Sequence, residues 1–170
     1  MHSTSRPAIS ALFARIGLHL RRAETELEKA TEAARLLEET APGTILEWSL
    51  LNAISMAVHD AYNGVEESMK AIAAEVDDIV PTGSDWHREL ALQLSAELPG
   101  IRPAVLAAEL MPSLQEARAF RHLVRHRYGT ELDRRRTLDA LATMAQALPL
   151  LERDLARLQA WLGAAADGEA

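Results

Sequence analysis

The chain contains no cysteine. That excludes a disulfide scaffold, a thiolate zinc site and haem or nucleophile chemistry that runs through sulfur. It also suits a reducing compartment. Aromatic residues are scarce, at 4% of the chain, so the core is expected to be built from interlocked small and branched aliphatic side chains. No run approaches the ~18 uninterrupted apolar residues that a membrane helix needs. The start, Met1-His-Ser-Thr-Ser-Arg6, lacks the charged opening and apolar stretch of a signal peptide. A soluble cytoplasmic protein without membrane contact is expected. None of the six histidines has a glutamate three residues before it, so the paired-metal motif of helical bundles is missing. There is no Walker phosphate loop, no Gly-x-Gly-x-x-Gly and no Gly-x-Ser-x-Gly. Neither a metal nor a cofactor is expected, and any catalysis falls to His, Arg, Tyr or carboxylates.

What the chain does have is helix formers. Ala, Leu, Glu and Arg dominate, and hydrophobic residues make up 48% of the 170 positions. That length favours one domain, 1–170, all-α, a four- to five-helix up-and-down bundle. A first helix is expected from Pro7 to about Glu39, ended by Pro42-Gly43. Thr44 with Glu47 reads as a capping box for a second helix reaching about Val80. Asn63-Gly64 interrupts its pattern and is read as a close approach of a neighbouring helix. Ser84 or Asp85 can cap a third helix to about Glu97, with Leu90 and Leu94 inward. Pro103 is expected to start a short piece to about Leu110, and Pro112 to sit in the first turn of a fourth helix stopped by Gly129. A fifth runs from about Glu131 to Leu162, with a kink or break expected at Pro149, and 163–170 as a frayed tail.

The formal net charge is −7, which argues against bulk non-specific nucleic-acid binding. One basic island stands against it. Between Arg118 and Arg127 there are four arginines and two histidines, and the run closes on Tyr128-Gly129. At about 100° per residue, Ala117, Phe120, Leu123 and Val124 form the core face. Arg121 and Tyr128 fall nearly in line on one edge of that face, and Arg118, Arg125 and His122 fan outward as candidates for binding RNA phosphates. His126 lies about 140° round from Arg121. On a straight helix Arg121, His126 and Tyr128 cannot converge on one small ligand. Either the helix unwinds before Gly129 or a second copy completes the site.

Such a cleft would suit an RNA phosphodiester. A histidine near neutral pH can take the 2′-OH proton or protonate the leaving oxygen. An arginine can grip the phosphate in two-pronged fashion and stabilise the pentacoordinate transition state. The 2′-OH is an internal nucleophile, so no metal is required. A plainer reading also fits: cations are favoured in the last turn of a helix by about 0.3–1 kcal/mol each, which would make Arg125, His126 and Arg127 solvated charges only.

Arg121-His-Leu-Val-Arg-His126-Arg-Tyr128 resembles the Arg-x4-His-x-Tyr signature of HepT toxins, members of the HEPN superfamily of α-helical ribonucleases. Ala61-Tyr-Asn-Gly-Val-Glu66, Pro81-Thr-Gly-Ser-Asp-Trp-His-Arg-Glu-Leu90 and Arg102-Pro103 precede it in an order and spacing similar to that family, over roughly residues 45–160. The resemblance implies a HEPN-like bundle acting as a metal-independent endoribonuclease toxin of a type VII-like toxin–antitoxin pair. It implies Arg121 and His126 as the catalytic pair. Tyr128 would be the acceptor that an MNT-type nucleotidyltransferase antitoxin modifies with AMP, placing an anion beside Arg121 and Arg125. It implies a homodimer with the motif helices adjacent. The alternative is a non-catalytic HEPN interaction module that binds a nucleotidyltransferase partner or a nucleotide.

Other residues carry expectations of their own. Trp86 and His87 are read as a hydrophobic staple and capping contact of the third helix. His59-Asp60 is read as a solvent-facing polar pair. Tyr62 and Asn63 can reach the site from the second helix. Arg134-Arg-Arg136 opens the fifth helix against its dipole and needs compensation, from Glu131 and Asp133 or from an anionic partner. Trp48 and Trp161 are read as core or interface anchors.

Overall fold

The computed structural model describes residues 5–125 and 132–168. Five α-helices follow one another: α1 (Arg6–Glu38), α2 (Ile45–Glu75), α3 (Trp86–Ser95), α4 (Met111–Arg125) and α5 (Arg134–Ala166). Among the described residues no strand forms, and one isolated bridge joins Leu98 and Arg102. The all-α helical bundle expected from composition is the architecture that forms.

The buried positions recur three and four apart. In α1 they include Leu12, Ile16, Leu20, Leu27 and Leu37; in α2, Ile54, Val58, Val65, Met69 and Ile72; in α5, Leu141, Met144, Leu148, Leu151, Leu155 and Leu158. Each such side chain contributes about 1.5–3 kcal/mol when fully buried. Ion pairs at the helix ends record the directions. Arg15 near the start of α1 pairs with Glu75 at the end of α2, and Arg6 pairs with Asp167 just past α5. Arg134 at the start of α5 donates to the Leu37 carbonyl near the end of α1. α1 therefore runs antiparallel to both α2 and α5.

At Gly64 the backbones of α1 and α2 approach closely. A methyl group there would lie 3.1 Å from the His19 carbonyl oxygen. This is the close approach expected of Asn63-Gly64, and α2 continues through it. A glycine-to-alanine change inside a helix ordinarily gains about 1 kcal/mol. At position 64 the obstacle is backbone, and overpacking of that kind costs about 1–3 kcal/mol. Gly64→Ala is therefore expected to destabilise the fold by ~1 kcal/mol, read as a lower urea midpoint. A raised midpoint would show that the two helices can part at no cost.

Several ends differ from the sequence expectation. Thr44 caps α2, its hydroxyl accepting from the Glu47 N–H at 3.2 Å, but the Glu47 carboxylate reaches back to the Gly43 N–H at 2.7 Å instead of to Thr44. α2 stops at Glu75 because Asp78 turns left-handed (φ 56°) and the Ile79 N–H closes onto the Ala73 carbonyl. Of the stretch 103–110 only Ala108–Leu110 is helical, a 3₁₀ turn leading into α4. The backbone donors before it are taken elsewhere: Val105 and Leu106 by the Leu94 carbonyl, and Ala107 by Asp154. α3 has Asp85 at its N-cap, yet no side-chain cap bond forms. α5 runs through Pro149 without a break and reaches Ala166, beyond the expected end at Leu162.

Compensation for the cations opening α5 comes only partly from sequence neighbours. Asp133 caps the helix by accepting from the Arg136 N–H at 2.6 Å. Arg134 instead pairs with Glu47 at 3.3 Å, besides capping carbonyls of α1. Trp161 packs on the core, whereas Trp48 is 59% exposed.

Candidate active site

The helical register of α2 puts Tyr62, Asn63 and Glu66 within little more than one turn, facing α3 and α4. Glu66 occupies a position of the apolar stripe and its side chain is only 3% exposed. A buried carboxylate needs partners, and two elements supply them. His87 of α3 bonds one carboxylate oxygen through Nδ1. Arg121 of α4 approaches the other at 3.6 Å. The Tyr62 hydroxyl, one turn earlier on α2, is near enough for the Glu66 charge to act on it.

Arg121 is held from a second side: its Nε donates to the Asn63 Oδ1 at 2.8 Å. Its side chain is 15% exposed, so the guanidinium is a fixed group at the edge of the core. Arg118 and Arg125 flank it along the same edge of α4, two turns apart. Arg118 is half-buried and Arg125 exposed. His122 is exposed on the neighbouring face. Ala117 and Phe120 are buried, and Leu123 and Val124 pack against the core, as the helical angles require. His126 and Tyr128 lie outside the described residues.

Charge and burial set the protonation states. Burial, reinforced by the Glu66 charge, raises Tyr62 well above the ordinary phenol range, so it stays protonated. Burial lowers His87, opposed by Glu66 and reinforced by Arg121 and Lys70. Burial likewise lowers His59, with Arg121 and Arg125 pushing the same way. The His59 Nδ1 is buried without a hydrogen-bond partner among the described residues. His59 is thus half-buried beside the arginines rather than facing solvent with Asp60. His87 is not a capping contact either. It reaches across to α2, and the Trp86 ring leans on it at 3.5 Å between centroids, with the Lys70 ammonium 4.3 Å over the indole.

A cleft of about 290 Å³ opens beside this network, lined by Tyr62, His87, Arg88, Leu92, Leu114 and Arg118 among others. Its lining is mostly apolar and includes the side chains of Arg88 and Arg118. Among the described residues, no group of three His, Asp or Glu side chains could hold a metal ion.

A family model described as HepT-like protein matches residues 53–162, well over half of the chain. The chain belongs to the HepT-like family. The match begins within α2 and spans α3, α4 and most of α5, so it contains every member of the HepT-like network just described and leaves α1 outside. No curated protein and no solved structure matches the chain.

Of the residues singled out in the sequence, the fold brings Arg121, Arg118, Tyr62 and Asn63 together, with Arg125 at the edge. Glu66 and the bonding role of His87 were not anticipated. A signal for Glu66 was present: it falls in register with Tyr62, Val65 and Met69, and a glutamate on an apolar stripe is almost never buried unless paired.

Proposed function

We propose that this HepT-like protein is a metal-independent endoribonuclease toxin. In this reading it acts as a homodimer and is silenced when an MNT-type nucleotidyltransferase antitoxin adds AMP to Tyr128. The observation that carries the reading is the hold on Arg121. Asn63 and Glu66 fix the guanidinium at the position that the Arg-x4-His-x-Tyr pattern assigns to catalysis. A merely solvated cation would not be anchored from two sides at the edge of a core.

In this reading Arg121 binds the scissile phosphate and stabilises the charge that builds on it. Arg118, Arg125 and His122 track the RNA backbone, and His126 transfers a proton. The family context supports a toxin–antitoxin setting in general. No described helix is long and apolar enough to cross a membrane.

The test incubates the purified protein with tRNA in EDTA, after mass spectrometry has established that Tyr128 is unmodified. Cleavage is expected to survive chelation and to disappear in His126→Ala. Light scattering is expected to give a dimer. Unmodified wild type that leaves RNA intact would sink the reading and favour a non-catalytic module that binds the nucleotidyltransferase.

A further inference from the structure

Cleavage of RNA through its own 2′-OH needs two proton transfers, one from the nucleophile and one to the leaving oxygen. The proposed reading has one histidine for them, His126. We propose that His87, oriented by Glu66, is the second proton-transfer residue, the general base for a nucleotide seated in the cleft beside α4. This inference rests on the ribonuclease reading and goes beyond it.

The geometry is that of a carboxylate–histidine dyad. The Nδ1 of His87 is engaged by Glu66, which fixes the tautomer with the proton on Nδ1. Nε2 is the nitrogen left for the cleft that His87 lines. The same carboxylate holds Arg121 by its other oxygen, so the base and the phosphate-binding guanidinium are positioned by one buried group. Arg118 lines the same cleft. A nucleotide whose phosphate sits on Arg118, with Arg121 one turn further along the same edge of α4, would place its ribose against His87 and its base on the apolar part of the lining.

Neighbouring groups do not serve as well. Tyr62 is 2% exposed and held protonated. Both oxygens of Glu66 are engaged. His59 has its Nδ1 buried. The charged groups acting on His87 are Glu66 and Lys70 on α2 and Arg121 on α4, and Tyr62 on α2, Arg88 on α3 and Arg118 on α4 line the cleft with it.

The step balances. The 2′-O–H proton passes to Nε2 of His87, and the 2′ oxygen forms its bond to phosphorus. The bond from phosphorus to O5′ breaks, and O5′ takes a proton from the acid, His126 in the proposed reading. The products are a 2′,3′-cyclic phosphate and a 5′-hydroxyl end. His87 works in its neutral form. Because burial lowers its pKa from the ordinary 6.5, the acid limb of the profile, where His87 becomes protonated, should lie on the acid side of that value, and the alkaline limb belongs to the general acid.

The experiment is single-turnover cleavage of an oligoribonucleotide in EDTA between about pH 5 and 9, with melting curves to establish folding. His87→Gln keeps an amide to bond Glu66 and is expected to cleave about 10²–10⁴-fold more slowly, with RNA affinity unchanged and the acid limb of the profile gone. His87→Ala is expected to be restored in part by added imidazole. A folded His87→Gln that cleaves at the wild-type rate with the same acid limb, while Arg121→Ala is inactive, overturns the dyad and leaves the ribonuclease reading standing. Wild type with free Tyr128 that cleaves nothing overturns both.

Discussion

Arg121→Ala is expected to lower RNA cleavage by about 10²–10⁴-fold, the range for losing a fixed cationic donor at a transferring phosphate. The effect should fall on kcat. Arg118 and Arg125 remain along the same edge to hold the RNA backbone, so KM should move little. Arg121→Lys restores the charge but should recover little of the rate. A single ammonium cannot donate to Asn63, meet Glu66 and still present two parallel donors to a phosphate, which a planar guanidinium does. Asn63→Ala removes one of the two holds and should cost about tenfold, because the fork keeps its charge and loses its aim. Stability should change by no more than about 1–3 kcal/mol in Arg121→Ala, since Glu66 keeps His87 as a partner. Gel analysis of cleavage beside melting curves checks all of this. Wild-type cleavage by Arg121→Ala would remove the basis of the proposed function.

The part of the site that could be read in the sequence is the part that lies on one helix. Arg118, Arg121 and Arg125 share an edge of α4 because helical angles are fixed by backbone geometry, and the apolar positions Ala117 and Phe120 show which way the helix faces. The groups that give Arg121 its setting come from α2 and α3. Glu66 and Arg121 stand more than fifty positions apart, and their pairing depends on how two helices cross. Spacing along the chain has no access to a crossing. His87 shows the same limit. Its place in the first turn of α3 suggested a local cap, and tertiary packing drew it to Glu66 instead.

The fold was readable where one local rule decides. The Thr44 cap, the continuity of α2 through Gly64 and the first turn of α4 at Pro112 all follow from short-range geometry. Misplaced ends lie where remote partners take hold. Leaving 103–107 non-helical traces to backbone donors engaged by remote partners, Val105 by Leu94 and Ala107 by Asp154, and Asp77, beside the left-handed Asp78 that ends α2, is likewise held by the distant Arg102. Pro149 errs the other way, since α5 keeps the helical path through a residue that removes one backbone hydrogen bond. Burial of Leu148 and Leu151 on either side offsets that loss.

Arg102→Ala is expected to be the most destabilising single change, at about 3–5 kcal/mol, the usual cost of leaving a buried charge without its partner. Arg102 is only 2% exposed. A guanidinium has five N–H donors, and here each has an acceptor. Nε and one terminal nitrogen bond the two oxygens of Asp77 at 2.6 and 2.7 Å. The remaining donors go to the carbonyls of Gln93 at 3.1 Å, Ala96 at 2.8 Å and Pro103 at 3.0 Å. One side chain therefore caps the C-terminal carbonyls of α3, neutralises a carboxylate just past the end of α2 and fixes the turn that leads toward α4. Its removal leaves Asp77 buried with Gln93 alone among those partners, takes this donor from the Ala96 and Pro103 carbonyls and leaves the Gln93 carbonyl with the Ala96 N–H. The melting midpoint should fall by roughly 10 °C for a chain of this size. Arg102→Lys has three donors for five acceptors and should lose most of the same stability. In Asp77→Asn the carboxylate charge is gone, and the arginine is the ion left unpaired, so a similar loss is expected. The double change to Asp77→Asn with Arg102→Met should be less damaging than the sum, because neither buried charge then lacks its partner. Additive losses across that cycle would mean that the pair is not coupled and that the carbonyl bonds alone anchor the joint between α2 and α3.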